Sequence, residues 1–571
     1  MKNIFIYLHN SNLKLYLLSL ISSLVAASTS FNFPFSIYTQ HIGQTDLLLA
    51  QAQIQSITQV GPFTKTIHLG YPFGFTQWTN PEFSILQGVL IYLLQFIPNI
   101  TNFGILSIVN FISIILNSLS ILLIVNLISK NTLIKIFSII SGTLLPYILL
   151  SFDHPHVISF FIWNIVIYSC IKLLRSNFEY KDHVILILSL VYAPLFWINI
   201  ILFTFFIMAI FYFLVFKLNN SYLIELKVVK KLFIYLSLVF ISHFILFLFH
   251  KNLNGENGRT PWQSDLFSGK FTDILLSSPL IRSLLDTNST FLNLTTMDSS
   301  QNLISLSLIF ISIVAFPFIF IANYIPKLKV EEKFLILLLQ LLFFEFVVGG
   351  LSNFQATLFL LFGETSPIRA WGRLIVIIPF VSIFFLISFF STRLGTKYLN
   401  ITAVVLLLTF IFDLSKIKIE DKFKDNINNL EEIKAVQFIE KSLSPCAVLQ
   451  LPIDTYFIPQ SAQDRGYRYY WNGKIPYILL PEFNWTSSIY VGSIGWKSQL
   501  KIPTEINNNY LSKLGDRYCA ILFDSNFSQY QLDRKASLNG EKLIWPGLVL
   551  GDDVVPNYED TRFKVILLDN Y

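Results

Sequence analysis

Charged residues are scarce in this chain. Asp, Glu, Lys and Arg make up 13% of its 571 residues, whereas 53% are hydrophobic. The net charge is +6, and the basic residues that produce it lie in short segments between apolar runs. This distribution excludes the extended basic surface that a nucleic-acid-binding protein needs. Because acids are so rare near the apolar runs, each one found there is informative.

Nucleotide-binding and common catalytic motifs are missing. The sequence has no Walker A loop, no glycine fingerprint of a dinucleotide-binding fold, no Cys-x-x-Cys metal pattern and no Gly-x-Ser-x-Gly elbow. An activated substrate would therefore have to arrive within the membrane. No internal repeat is visible either, which counts against transporter folds that are built from duplicated halves.

Cysteine is nearly absent, with 3 residues in the whole chain. Cys170 lies in an apolar run and is predicted to be a core residue. Cys446 and Cys519 each begin a strand-like run in the C-terminal part. Two alternatives are open for this pair: a disulfide, which a compartment outside the cytoplasm permits, or two buried free thiols on neighbouring strands.

Long apolar runs dominate the chain from Leu13 to about Phe412. A helix that crosses a bilayer needs about 20 apolar residues, which predicts about 11 crossings. The predicted spans are 13–31, 103–128, 132–151, 155–175, 183–198, 199–217, 231–250, 303–323, 333–350, 371–391 and 397–413. The segment 84–98 is apolar but too short, and we interpret it as interfacial or re-entrant.

The orientation of the chain follows from its basic residues. Lys and Arg concentrate in the loops at one end of the spans and are sparse in the longer loops at the other end. By the positive-inside rule, the N-terminus is cytoplasmic and the C-terminal part is outside. This prediction requires two short helices within 183–217, since one long tilted helix would reverse everything after it. Asn-, Ile- and Lys-rich composition favours a bacterial inner (cytoplasmic) membrane.

Two domains are predicted. Residues 1–414 form a multi-pass transmembrane domain with a first outer loop at 32–102, which contains interfacial helices, and another outer loop at 251–302. From about Lys416 the composition becomes mixed polar and apolar, and residues 415–571 are predicted to form a small α/β domain outside the cytoplasm. The fold class is an α-helical polytopic membrane protein with a C-terminal α/β extracytoplasmic domain.

The first outer loop holds the main catalytic candidate, Asp46. Two roles are open for it: an N-cap for the interfacial helix that follows, or a general base that removes a proton from an acceptor hydroxyl. Glu82 is a second candidate acid in the same loop, with solvation of the loop as the alternative. Lys65 and Trp78 of this loop are candidate substrate-binding residues.

Other candidates lie at the ends of later spans. Asp153 is a further candidate catalytic acid, with a solvated helix end as the alternative, and His154 beside it is a candidate substrate ligand. Glu345 is the acid that lies well inside an apolar run, where an ionisable group normally faces a cavity or a partner. Arg369 and Arg373 flank Trp371 at the mouth of a span. They are predicted either to bind a lipid phosphate or to anchor the helix at the interface.

These features together resemble the GT-C superfamily of membrane glycosyltransferases. The resemblance rests on Thr45-Asp46 in the first outer loop, the helix with small residues that follows, the Gly-Pro-Phe turn at 61–63, the Gly-x-Pro-x-Gly block at 70–74 and the Ile-Arg-Ala-Trp stretch at 368–371. It extends to the number of spans and the outer C-terminal domain. One departure is that Asp46 has no adjacent second acid, so Asp153 or Glu82 would have to fill that role.

The resemblance implies a polyprenyl-phosphate-linked sugar donor and a lipid-linked or envelope glycan acceptor, with transfer at the outer face of the membrane. It implies Asp46 as the base and an arginine near 369 at the donor phosphate. No cofactor is required, although a divalent cation, Mg²⁺ or Mn²⁺, between Asp46 and Asp153 is left open. The alternatives are a transporter or flippase of lipid-linked saccharides and a non-catalytic scaffold for envelope assembly.

Overall fold

The computed structural model is mostly helical up to residue 417 and contains both helices and strands beyond it. It describes residues 13–39, 45–64, 66–69, 83–152, 154–175, 178–192, 278–281, 305–321, 327–343, 377–417, 427–451, 475–486, 505–525, 532–538, 541–545 and 549–568, with isolated positions at 201, 204, 205, 207, 208, 211, 234, 237 and 325. The predicted spans 199–217 and 231–250 and the outer loop 251–302 lie for the most part outside these residues.

Among the described residues, five helical segments are long and apolar enough to cross a membrane. They are Leu13–Phe31, Asn102–Ile128, Thr132–Leu150, Pro155–Leu174 and Thr396–Leu414. Each coincides within two residues with a predicted span. Ile85–Leu94, Leu306–Ile321 and Ile377–Ser391 are apolar but shorter, and the first of these agrees with the short segment expected at 84–98. The chain is an integral membrane protein with a largely helical fold.

The helices of this part are numbered in chain order. They are α1 (Leu13–Phe31), α2 (Thr45–Val60), α3 (Ile85–Leu94), α4 (Asn102–Ile128), α5 (Thr132–Thr143), α6 (Pro146–Leu150), α7 (Pro155–Ile158), α8 (Phe161–Leu174), α9 (Tyr180–Tyr192), α10 (Leu306–Ile321), α11 (Val330–Phe343), α12 (Ile377–Ser391) and α13 (Thr396–Leu414). Two predicted spans are broken, α5 from α6 and α7 from α8. Pro146 and Pro155 each stand at the first position of the short helix that they begin, where the missing N–H costs nothing.

Helix α4 forms the centre of the bundle, because α1, α5 and α8 all pack along it. The span formed by α7 and α8 is 94% buried, whereas α13 is only 22% buried. Most of the exposed positions of α13 are apolar, among them Ile401, Val404, Val405, Leu408, Ile411 and Phe412. An exposed apolar stripe on a span-length helix is the surface that lipid covers. The core therefore lies around α4 and α8, and α13 lies at the periphery.

Ion pairs join the helix ends at one end of the bundle. Arg175 pairs with Glu331 at 2.7 Å, and Arg393 pairs with Glu332 at 3.2 Å. Arg175 also donates to the carbonyl of Leu127 at 2.8 Å. The ends of α4, α8, α11 and α12 thus meet at the same end, the end that the basic residues predict to be cytoplasmic.

A buried carboxylate holds the opposite end of α13. Asp413 is fully buried and accepts hydrogen bonds from the hydroxyl of Ser278 at 2.7 Å and from the backbone N–H groups of Leu280 at 2.9 Å and Leu306 at 2.7 Å. A buried acid needs such partners to offset its desolvation. Asp413 therefore fixes the start of α10 against the end of α13.

The C-terminal part is a layered α/β structure. Its central sheet has the strand order β2 (Asn484–Trp485), β1 (Ala447–Leu451), β4 (Ala520–Asp524), β9 (Phe563–Leu567) and β8 (Tyr558–Glu559). The first three strands are parallel, and β9 is antiparallel to both β4 and β8. The remaining strands are β3 (Glu505–Ile506), which pairs with β7 (Val549–Leu550), and β5 (Leu532–Leu538), which pairs with β6 (Glu541–Trp545).

Helices cover both faces of the central sheet. On one face, α14 (Ile427–Ser442) and α15 (Ile475–Leu479) pack against Val448, Ala520, Leu522 and Val565. On the other face, α16 (Asn508–Leu514) packs against Leu449, Leu451, Ile521 and Phe523. The two sets alternate along β1 and β4, as the two-residue period of a strand requires. We call this α/β structure, residues 427–451, 475–486, 505–525 and 549–568, the sheet unit.

A disulfide joins the two central strands of the sheet unit. Cys446 and Cys519 immediately precede β1 and β4, and their Cα atoms are 6.2 Å apart. Parallel pairing in the register Val448 to Ala520 brings the two positions side by side. Of the two alternatives that the sequence left open, the structure has the bridge. Cys170 is a buried free thiol, as predicted.

Candidate functional site on helix α2

Helix α2 carries the candidate base. Asp46 is the second residue of this helix and lies in its first turn. The helix ends at Val60, and Gly61 follows with φ of +87°, a left-handed conformation that glycine adopts without strain. The predicted end at Gly61-Pro62 is confirmed.

Two different cores share helix α2. All residues from 47 to 54 are buried. The residues that pack into the transmembrane core are Leu47, Ala50, Ile54 and Ile57. Those that pack into the core of the sheet unit are Leu48, Leu49 and Ala52. The spacing of three and four residues within the first set places it on one face of the helix.

Two glutamines of α2 are buried. A helix lying free in the interface would leave its polar face in the headgroup region, whereas Gln51 and Gln53 are as buried as the leucines between which they lie. The second covering surface comes from the sheet unit, whose residues are remote in sequence and give no local signal. That the helix lies in the interface plane stays a prediction.

Polar contacts fix α2 from both sides. On the bundle side, the amide of Asn102 at the start of α4 donates to Oε1 of Gln55. On the other side, Nε2 of Gln59 donates to the carbonyl of Pro481 at 2.6 Å, and the Tyr477 hydroxyl donates to Oε1 of Gln59 at 2.7 Å. Both polar atoms of the Gln59 amide are thus bound by the sheet unit.

The chain after α2 continues along the edge of the sheet. The backbone N–H of Trp485 in β2 donates to the carbonyl of His68 at 2.9 Å, and Leu69 forms a parallel bridge with Trp485. Trp485 is fully buried, and its indole N–H donates to the carbonyl of Leu480 at 3.0 Å. The first outer loop therefore contributes a short piece of strand to the sheet unit.

The Tyr477 hydroxyl is a permanent donor. Tyr477 is fully buried, and this burial raises the pKa of its hydroxyl well above the ordinary value near 10, although Thr66 and Ser56 beside it act in the opposite direction. The phenol therefore stays protonated throughout the physiological range, and the carbonyl oxygen of the Gln59 amide is its acceptor.

The turn between α6 and α8, described at residues 151–152 and 154–160, is buried within the bundle. The amide of Asn110 on α4 donates to the carbonyl of Phe152 at 2.9 Å. Seven residues further along α4, Asn117 donates to the carbonyl of Ile158 at 2.6 Å and accepts from the N–H of Phe161 at 2.6 Å. Non-helical backbone at this depth has to be satisfied by protein groups, and these two asparagines supply them.

His154 belongs to this turn. It is 1% exposed and stacks on His156 with ring centroids 5.6 Å apart. The sequence placed the turn where a span meets the outside, whereas the structure places His154 within the packed interior beside α4. Its role as a substrate ligand stays a prediction.

The other predicted site residues lie outside the described residues. They are Glu82, Asp153, Glu345, Lys65, Trp78, Arg369 and Arg373. Within the part of the chain that is described, no group of three or more His, Cys, Asp or Glu side chains could hold a metal ion. The roles proposed for these residues therefore remain predictions.

Sequence analysis did not identify the polar residues that support the site. Asn110 and Asn117 had a signal, since two asparagines seven residues apart within an apolar run lie on one face of a helix and require partners there. Gln59 and Tyr477 had none, because they lie 418 positions apart and each is an ordinary polar residue in its own segment.

The sequence matches no protein-family model and no curated protein. Comparison with solved structures finds several with a related course of the chain, each with a TM-score below 0.5. The archaeal oligosaccharyltransferase AglB from Archaeoglobus fulgidus, in complex with an inhibitory peptide and a dolichol-phosphate, is 11% identical with a TM-score of 0.47 over 89% of this chain and 69% of that one. The arabinofuranosyltransferase AftD from Mycobacteria is 10% identical with a TM-score of 0.49 over 90% of this chain and 35% of that one.

A third similar structure is ArnT from Cupriavidus metallidurans bound to undecaprenyl phosphate, which is 10% identical with a TM-score of 0.38 over 97% of both chains. These likenesses concern the course of the chain alone. No residue role in the present chain is taken from them.

Proposed function

We propose that this chain is a membrane glycosyltransferase that moves a sugar from a polyprenyl-phosphate donor to a lipid-linked or envelope glycan acceptor. The observation that carries the proposal is the placement of Asp46. This acid lies in the first turn of a helix that the bundle and the sheet unit hold between them. A base must be held rigidly to act in a defined geometry, and a helix clamped on two faces meets that requirement.

The first turn of a helix also suits a carboxylate that works in its ionised form. The N-terminal N–H groups of a helix carry a partial positive charge, which favours a negative side chain near them. An ionised carboxylate is the form that accepts a proton from a hydroxyl. This placement supports Asp46 as the base over Asp46 as a solvated loop residue.

The reaction proposed is an inverting transfer. Asp46 removes the proton from an acceptor hydroxyl, and the hydroxyl oxygen bonds to the anomeric carbon of the donor sugar. The bond from that carbon to the phosphate oxygen breaks, and the lipid phosphate leaves with the electron pair. Arg369 or Arg373 balances its charge. Glu82 and Asp153 are the candidates for a second acid. No step is assigned to a Mg²⁺ or Mn²⁺ ion.

The proposed orientation places α2 and the sheet unit outside the cytoplasm. The disulfide between Cys446 and Cys519 supports it, because such bonds persist in oxidising compartments. The cluster of arginine ion pairs at the opposite end of the bundle is in keeping with a cytoplasmic end. The bacterial inner membrane is the proposed location.

The test is complementation of a deletion strain with the wild-type chain, with Asp46→Asn, or with Asp552→Asn as a matched control. Asp552 is an exposed residue of the sheet unit. Envelope glycans are analysed by mass spectrometry, and protein level is measured in the membrane fraction. We expect Asp46→Asn to reduce formation of one glycan about 100-fold or more, the effect of losing a general base, whereas Asp552→Asn restores it fully.

Full restoration of the glycan by Asp46→Asn at normal protein level would show that the chain is not the proposed enzyme. A transporter of lipid-linked saccharides or a scaffold would then be the better account, since neither needs a catalytic base.

A further inference from the structure

We infer that Tyr477 and Gln59 are positioning residues through which the sheet unit fixes the helix that carries Asp46. This inference rests on the proposed function, because it assigns these residues an effect on turnover through Asp46. Neither residue is placed in contact with substrate.

Contacts to α2 are distributed over two opposite sides of the helix. Its bundle-facing residues, from Leu47 to Ile57, hold it against α3 and α4 on one side only. A helix held from one side can still roll and slide on the surface beneath it. Leu48, Leu49 and Ala52 on the opposite side of α2 are buried in the sheet unit. Contacts on both sides limit how far the helix can roll or slide.

Polar contacts restrict the motions of α2 that apolar packing leaves free. Apolar contacts are not directional, so they set the depth of α2 between the two cores more firmly than its position along its axis. The Gln59 amide is bound at both of its polar atoms, by Tyr477 and by the carbonyl of Pro481. These two directional bonds fix the rotation and axial position of the last turn of α2. Because a helix is stiff, they also fix its first turn.

The attachment to the sheet unit continues beyond the end of α2. His68 and Leu69 join the edge of the sheet at Trp485. The segment from Thr45 to Leu69 is therefore attached to the sheet unit at its apolar face, at Gln59 and at its C-terminal end. Displacement of the sheet unit would displace α2 with it.

The experiment uses the full-length chain in lipid nanodiscs. Hydrogen exchange measured by mass spectrometry compares the wild type with Tyr477→Phe, Gln59→Leu and the double variant. Tyr477→Phe keeps the ring and removes only the donor, so the core of the sheet unit stays filled. Tyr558→Phe is the matched control, because the Tyr558 hydroxyl donates to Asp560 at 2.9 Å within the sheet unit.

We expect exchange over 45–60 to rise about tenfold in Tyr477→Phe, the size of effect that the loss of one hydrogen bond gives. It should rise further in Gln59→Leu, which also loses the bond to the carbonyl of Pro481. Exchange over 102–128 and 447–451 should not change. The double variant should resemble Gln59→Leu, since that substitution already breaks the bond that Tyr477→Phe removes. Unchanged exchange over 45–60 in both single variants would overturn the inference.

Turnover is measured on the same samples, with a lipid extract of the producing cells as the source of donor and acceptor. We expect Tyr477→Phe and Gln59→Leu to lower the maximal rate about tenfold or more while the half-saturating amount of extract stays the same, because misplacement of a base affects the chemical step. Tyr558→Phe should equal the wild type.

Two results distinguish a failure of the positioning role from a failure of the proposed function. Faster exchange over 45–60 with an unchanged maximal rate would reduce Tyr477 and Gln59 to a structural role and overturn the positioning claim. Wild-type turnover by Asp46→Asn would refute the proposed function instead. In that case the exchange data would still show whether the sheet unit holds α2.

Discussion

The two segments that carry predicted site residues are held in different ways. Helix α2 is shared between two cores and is bonded to both the bundle and the sheet unit. The turn at 151–160 is held by the bundle, through Asn110 and Asn117 of the central helix. The difference means that the first outer loop depends on the folding of the C-terminal part, whereas the turn does not. Weakening the sheet unit or the asparagines of α4 separately should therefore affect one of the two segments and not the other.

The largest effect is expected from loss of the disulfide. Replacing Cys446 and Cys519 by Ser should destabilise the sheet unit by about 3 kcal/mol, because the bond closes a long loop in the unfolded chain. Hydrogen exchange should then increase in 447–451, 520–524 and 45–69, but not in 155–174. Cys170→Ala, which removes the free thiol, is the control. Faster exchange in 155–174 in the disulfide variant would contradict the comparison.

A smaller destabilisation, confined to the turn and absent from α2, is expected from substitution of Asn117. Asn117→Leu removes the acceptor of the Phe161 N–H and one of the two donors to the carbonyl of Ile158, which keeps its bond from the N–H of Phe160. This loss should destabilise the turn by about 2 kcal/mol. Exchange should increase in 155–164 while 45–60 keeps its wild-type rate. Asn126→Leu on the same helix is the control, because Oδ1 of Asn126 has no hydrogen-bond partner among the described residues. Equal loosening of both segments would mean that they form one cooperative unit.

The smallest effect is a loss of stability at alkaline pH, which residues 45–69 should share with the sheet unit and the turn should not. Burial, with a smaller contribution from the hydrogen bond to Asp560, raises the pKa of Tyr558 to about 12, and burial raises the pKa of Tyr477 as well. Both groups are protonated in the folded state at pH values where an unfolded tyrosine, with a pKa near 10, has ionised. The contribution of the Tyr558 hydroxyl to the stability of the sheet unit is therefore full below pH 10 and is lost as pH rises through about 12.

Exchange rates corrected for their intrinsic pH dependence should show 45–69 loosening together with the sheet unit over this range. Tyr558→Phe should lessen the loss of stability in the sheet unit. A loss of the same size in 155–174, or no difference between Tyr558→Phe and the wild type, would argue against this assignment.

Much of the transmembrane part could be predicted from residue type alone. The ends of α1, α4 and α13 agree with their predicted spans within one residue, because in a bilayer the length of an apolar run decides the length of the helix. Gly61 ended α2 as predicted, since its backbone conformation is local. The pairing of Cys446 with Cys519 was one of two alternatives, and the parallel register of β1 and β4 decided it.

The supports of the site could not be predicted in the same way. The glutamines of α2 predicted a helix with one solvent-exposed polar face. In the structure that face is buried because the sheet unit covers it. Asp413 stood at the end of an apolar run, like many solvated helix ends, and its donors come from residues more than 100 positions earlier. Hydrogen-bond partners across such distances depend on how elements pack, and one sequence contains no record of that.

The sequence by itself determined that the chain crosses a membrane, where its long helices begin and end, and which few acids and arginines are available for chemistry. Composition decides these because the transfer of apolar side chains into lipid is a property of each residue. Tertiary structure alone decided that the helix of Asp46 lies between two cores and that Gln59 meets Tyr477. Those contacts exist only after distant segments have packed, because their free energy belongs to pairs of residues and not to single ones.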